Sequence, residues 1–132
     1  MADFLLDSDV VIWHLRGREE VVRLVLDLAG RGRLALSAVV RAEVIQGMRD
    51  PEREPTLGFL DACATLPVDA DVADQAGEIV RSFRSRGVTL ALPDALIAAT
   101  ALAYGAPLFT CNARHYPPTG PLERLDVRAV RA

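Results

Sequence analysis

Three carboxylates, Asp7, Glu43 and Asp94, stand where the local pattern asks for an apolar or neutral residue. Asp7 ends the apolar run Phe4-Leu5-Leu6. Glu43 shares a helical face with Val40, Val44 and Gly47, at offsets of three and four. Asp94 opens the run Ala95 to Ala103 and lines up with Ile97, Ala98 and Ala101. Charged groups are rarely buried unless they are paired or bound to a metal. Three carboxylates aimed at one core repel each other unless a cation sits between them. That combination points to a Mg²⁺ or Mn²⁺ site for phosphate chemistry. A phosphodiester resists attack because it is anionic and its leaving oxygen is poor. A divalent ion neutralises the charge, activates a water and stabilises the leaving group.

Each carboxylate also has a plainer reading. Asp94 could be a helix N-cap, a position for which Asp is favoured. Glu43 could lie solvated at a helix edge, and Asp7 could close a turn after its strand. Asp9 reads as a charge that starts a short helix electrostatically. His14, beside Trp13, reads as a packed or surface residue. His115 lies in a polar loop where, with Arg114, it could touch a phosphate-bearing substrate. Neither histidine has metal-ligand spacing. No serine-centred nucleophile elbow and no Gly-rich phosphate loop occurs.

The elements that must position these groups alternate between strand and helix. Phe4 to Leu6 predicts a buried strand and Val10 to Leu15 a short helix stopped near Gly17. Glu20 to Ala29 is a helix ending at Gly30. Arg33 to Leu36 is a second strand, and Ser37 caps a helix from Val39 to Gln46 that Gly47 ends. Pro51 to Ala64 reads as helical and Leu66 to Val68 as a strand. Val72 to Arg86 is a long amphipathic helix, and Asp94 to Tyr104 a helix after Pro93. Pro107 to Thr110 is a strand, Asn112 to Pro121 a loop, and Leu125 to Val130 a last strand. Such alternation means a parallel sheet covered on both faces, with the functional crevice at the carboxyl ends of its strands. Asp7, Ser37 with Glu43, and Thr110 with Asn112 all follow strand ends.

With 132 residues, 51% of them hydrophobic, and a mean hydropathy of +0.20, the chain predicts one compact domain over residues 1–132. No apolar run reaches the roughly 20 residues that span a bilayer, and the N-terminus shows no secretory pattern. A cytoplasmic protein with no membrane association is expected. Cys63 and Cys111 match no C-x-x-C spacing and read as reduced thiols. The net charge of −3 argues weakly against nucleic-acid binding. Every one of the 15 basic residues is arginine, which binds phosphate through a planar fork. The absence of lysine excludes mechanisms that need one.

Four segments carry a family resemblance: F-L-L-D-S-D-V-V-I, S-A-V-V-R-A-E-V-I-Q-G, L-P-D-A-L-I-A-A-T-A and L-F-T-C-N-A-R-H-Y. In this order they resemble the PIN-domain ribonucleases, and among them the VapC toxins of bacterial toxin–antitoxin pairs. The resemblance implies a three-layer α/β/α PIN-like fold with a mainly parallel central sheet. It implies a metal-dependent endoribonuclease with Asp7, Glu43 and Asp94 as its acidic core. Asp7 and Asp94 would anchor Mg²⁺ or Mn²⁺, directly or through water. Glu43 would be a ligand or would orient the attacking water. Family members often carry a fourth acidic residue where this chain has Asn112, which would complete the shell through its carbonyl. The hydroxyls of Ser8 and Thr110 would support the ligands from behind. Arg16, Arg18, Arg41 and Arg114 lie near these segments and are candidates for RNA phosphate contacts.

The resemblance further implies a structured RNA substrate, such as tRNA or rRNA, and a cognate VapB-type antitoxin that holds the enzyme inactive. A homodimer is expected. The apolar stretches Val10 to Leu15 and Val39 to Val44, with Trp13 and Phe59, suggest faces left over for partners. Two other readings compete. Asp7-Ser8-Asp9 imitates the D-x-D of aspartyl-nucleophile phosphatases, which usually need a lysine. A non-catalytic PIN module would need the acidic set to be broken.

Overall fold

A computed structural model describes residues 3–132. Its strands are β1 (Asp3–Leu6), β2 (Arg33–Ser37), β3 (Ala64–Leu66), β4 (Leu108–Thr110) and β5 (Val127–Ala129). They form one sheet in the order β3-β2-β1-β4-β5, and every pairing is parallel. The mainly parallel sheet expected from the alternation is therefore parallel throughout. All five carboxyl ends point to one edge, and β1 lies in the middle. Leu5 and Leu6 are fully buried, as a strand covered on both faces requires.

Six helices connect the strands. α1 (Ser8–Leu15) and α2 (Glu19–Arg31) join β1 to β2, and α3 (Ala38–Gly47) and α4 (Arg53–Ala62) join β2 to β3. α5 (Ala70–Ser85) and α6 (Leu92–Tyr104) carry the chain back across the sheet from β3 to β4. Right-handed crossovers put the first four on one face and the return pair on the other, which makes three layers. α5 buries Val72, Ala76, Ile79 and Phe83 at helical spacing. α6 is buried through its middle, where Ala95, Ala98, Ala99 and Ala101 allow close approach.

Several boundaries differ from the sequence reading. α2 continues through Gly30 to Arg31, because its buried face of Val21, Val25 and Leu28 outweighs the cost of an exposed glycine. The segment after Met48 opens with a 3-10 turn, Asp50–Glu52, before α4 begins. Pro55 then falls in the first turn of α4, where its missing N–H would have had no partner. β3 lies earlier than expected, at Ala64–Leu66, because Ala35 to Ser37 set its register. β5 covers only Val127–Ala129 at the sheet edge.

The apolar stretches that suggested partner faces are largely consumed inside this chain. Val10, Val11 and Val40 are fully buried, and Trp13, Val39 and Phe59 pack partly buried against the core. α1 is sandwiched against α2 and α3, so its apolar side chains fill the layer over the sheet. Among the described residues the large apolar side chains that remain exposed are Leu26, Ile45, Val88, Leu92 and Tyr104. Cys63 and Cys111 are both free thiols. Among the described residues no helix is long and apolar enough to cross a membrane.

Candidate active site

The site is built where β1 and β4 end side by side. Asp7 leaves β1 and caps α1: its Oδ1 accepts the Ser8 N–H at 2.8 Å. Its own N–H donates to the Phe109 carbonyl, which extends the β1–β4 ladder by one residue. Asp7 Oδ2 accepts two hydroxyls, from Thr110 at 2.9 Å and from Tyr116 at 2.8 Å. The carboxylate is 5% exposed. Burial pushes its pKa above the ordinary range, and the charge of Asp9 adds to this. The Tyr116, Thr110 and Ser8 hydrogen bonds offset the rise only in part.

Glu43 is presented by α3, which starts where Ser37 ends β2 and caps the helix through its hydroxyl. Glu43 Oε1 is buried and has no hydrogen-bond partner. Burial raises the Glu43 pKa, followed by the charge of Asp7 and, more weakly, those of Asp94 and Asp9. Ser8 moderates this rise. Asp94 is the third residue of α6. The cap position belongs to Ala91, so Asp94 is not the N-cap that a local reading allows. Its pKa is also raised, first by burial, with His115 opposing and Asp9 adding. His115 Nδ1 lies 3.9 Å from Asp94 Oδ2.

Asp9 joins this group. Its Oδ1 accepts the Cys111 N–H at 3.2 Å, and its Oδ2 accepts the Asn112 side-chain amide at 2.9 Å. Asn112 therefore faces Asp9, while its backbone N–H donates to the Thr110 hydroxyl. Asp9 and Tyr116 both contact the candidate residues, and the sequence reading names neither among them. Tyr116 did carry a signal: a large aromatic in a polar loop must bury its ring, and a buried hydroxyl needs a partner.

The four candidate arginines separate. Arg18 lies over the Trp13 ring at 4.1 Å, and its charge reaches Cys111 at the mouth of the site. Arg114 is exposed in the 3-10 turn Ala113–His115, beside Asn112. Arg16 is instead paired with Glu52, and Arg41 with Asp61 and the Thr65 hydroxyl. Arg41 is two residues from Glu43, which is about 200° around the helix, so the two side chains face different ways.

The basic side chain that approaches these carboxylates is His115, beside Asp94. Among the described residues no arginine pairs with Asp7, Asp9, Glu43 or Asp94, although ion pairs are common elsewhere. Among the described residues no group of three or more His, Cys, Asp or Glu side chains is placed so that it could hold a metal ion by itself. An acceptor set this open suits a hard ion that keeps several waters and takes few protein ligands directly, which is the habit of Mg²⁺. The orphaned Glu43 oxygen and the lack of a pairing arginine among the described residues fit such an ion.

Comparison with known proteins agrees with the fold and the sequence motifs. Residues 4–117 match the PIN domain family model. Ribonuclease VapC19 of Mycobacterium tuberculosis is 35% identical over 114 residues, which cover 86% of this chain and 91% of that protein. The VapBC2 structure from Rickettsia felis, bound to a promoter DNA fragment, aligns with a TM-score of 0.80 at 18% identity. That alignment covers 98% of this chain and 99% of the other. A toxin–antitoxin complex from Klebsiella pneumoniae aligns with a TM-score of 0.77 at 23% identity, over 96% of each chain. An all-parallel α/β/α sheet with an acidic crevice at its carboxyl edge thus defines the class. The chain belongs to the PIN domain family and, within it, groups with the VapC ribonucleases.

Proposed function

We propose that this chain is a divalent-cation-dependent endoribonuclease, the toxin of a VapBC-type pair. The observation that carries the reading is the carboxylate group at the sheet edge, which no arginine pairs with among the described residues, with one Glu43 oxygen buried and unpartnered. Mg²⁺ or Mn²⁺ would be held by Asp7 and Asp94, with Glu43 completing the shell and Asn112, whose amide donates to Asp9, at its edge. When bound, the ion supplies the positive charge that neutralises the phosphodiester and acidifies a water.

The protein groups have distinct tasks. Asp7 is fixed by three donors, so it offers its remaining lone pair in one direction. Glu43 has a raised pKa and a free oxygen, which suit it to orient the attacking water and take its proton. Ser8 and Thr110 hold the carboxylates in place from behind. Arg18, whose charge reaches Cys111, and the exposed Arg114 beside Asn112 would hold phosphates of the RNA. Arg16 and Arg41 are occupied by Glu52 and Asp61 and are weaker candidates for this role.

The substrate is a structured RNA such as tRNA or rRNA, met in the cytoplasm. The partner is a small antitoxin, a reading supported by VapC19 as a sequence relative and by toxin–antitoxin complexes as fold relatives. The working unit is a homodimer. The test is cleavage of a folded RNA by purified protein with Mg²⁺, with Mn²⁺ and with EDTA. Cleavage with either ion and none with EDTA is expected. Cleavage that persists in excess EDTA, with contaminating nuclease excluded, overturns the reading.

A further inference from the structure

We infer that Asp9 is the fourth working carboxylate of this site, and that Asn112 is a positioning residue that holds it rather than a ligand in its own right. The inference rests on the metal-dependent reading above and assigns the place of one of its charges. Asp9 sits in the first turn of α1, where a carboxylate could simply favour the helix N-terminus. Such a role needs no contact with β4. Asp9 nevertheless reaches across to the segment after β4 and takes the Cys111 N–H and the Asn112 amide, with the Thr110 hydroxyl a more distant 3.4 Å away. A carboxylate only accepts, so the amide must turn its NH₂ to Asp9. That bond fixes the Asn112 side chain against a neighbouring acid, with its carbonyl turned away from Asp9.

The Thr110 hydroxyl lies 2.9 Å from Asp7 Oδ2 and 3.4 Å from Asp9 Oδ2, which sets the two carboxylates side by side in the crevice. A mere clamp between α1 and β4 does not require this. An amide at position 9 would bridge the same gap without repelling three carboxylates. The pair is also symmetric in shape. With Asn at 9 and Asp at 112, the same hydrogen bond forms with donor and acceptor exchanged, and the charge moves to the opposite side of the contact.

That symmetry gives the experiment. D9N, N112D and the exchange variant D9N/N112D are compared with the wild type by Mn²⁺ titration, reading free Mn²⁺ by electron paramagnetic resonance. Circular dichroism establishes folding, and RNA cleavage is measured alongside. D9N is expected to bind Mn²⁺ about 10–100-fold more weakly. The exchange variant is expected to recover affinity to within a few-fold of the wild type. N112D, with two carboxylates in contact, is expected to keep its Mn²⁺ affinity and to melt lower than the wild type in EDTA. A folded D9N with wild-type Mn²⁺ affinity overturns the inference. So does an exchange variant that is folded yet binds as weakly as D9N, and this arm still decides the matter if D9N alone fails to fold. A wild type that binds no Mn²⁺ is a different result, which removes the metal reading itself.

Discussion

Replacing Asp94 with Asn separates catalysis from stability, because so little of the fold depends on this carboxylate. Asp94 makes no backbone cap; Ala91 holds that position without a side-chain bond. Two effects favour the charge. Its place in the first turn of α6 contributes about 0.3–1 kcal/mol. The His115 contact at 3.9 Å is half-exposed on the histidine side and adds at most about 1 kcal/mol when the histidine is protonated. Burial and Asp9 oppose them, and the raised pKa says that the opposition wins. Asn keeps the shape and loses the charge. The apo stability of D94N at neutral pH should therefore lie within about 1 kcal/mol of the wild type, on the more stable side. For a chain of this size that is about 4 °C or less. Cleavage should fall at least about 100-fold. Melting is measured in EDTA by differential scanning fluorimetry, and cleavage on a fluorescent RNA with Mg²⁺. The stabilisation that Mg²⁺ gives the wild type should shrink in the variant, since only the folded state binds the ion. A fall of several degrees in the EDTA melting temperature would mean that Asp94 is a structural ion-pair partner, and the reasoning fails.

The metal-free protein should lose stability as pH rises from the ordinary carboxylate range through the raised values of Asp7, Glu43 and Asp94. The folded state holds protons there that the unfolded chain has released. The lowered pKa values of Asp3, Glu52 and Asp126 act in the opposite sense, but those groups lie in solvent-exposed pairs worth little; an EDTA melting temperature that climbs through this window refutes the balance, and saturating Mg²⁺ should flatten the slope. Tyr116→Phe removes a donor from a buried carboxylate and should lower apo stability by about 1.5–3 kcal/mol, with weaker Mn²⁺ binding; an unchanged urea midpoint and unchanged Mn²⁺ affinity would show that the hydroxyl does nothing for Asp7. Arg114→Gln should weaken RNA binding and reduce the salt slope by about one, while Arg41→Gln should leave both unchanged; equal losses in the two variants would contradict the division of the arginines.

What the sequence revealed about the site was conflict, and what it concealed was adjacency. Asp7, Glu43 and Asp94 were visible because each breaks an apolar periodicity, and that kind of evidence is local. Asp9 breaks nothing. An acid in the first turn of a helix satisfies a local rule, so its contact with Asn112, 103 residues away, left no trace in either segment. That contact exists because β1 and β4 are neighbours in the order β3-β2-β1-β4-β5, and β4 reaches β1 only after α5 and α6 recross the sheet. Tyr116 was hidden for the same reason, since its partner Asp7 is 109 residues away. Arg41 erred the other way. It was near Glu43 in number, yet the helical period already turned it toward Asp61. The apolar stretches of α1 and α3 show the limit once more. Their hydrophobicity was legible, but whether it served a partner or the core depended on α1 lying against α2 and α3. Local pattern therefore identifies residues at odds with their surroundings, and the topology decides which of them share one site. Here the parallel pairing of β1 with β4 brings the Asp9 carboxylate beside the end of β4, where the residues that pattern exposed do not reveal it.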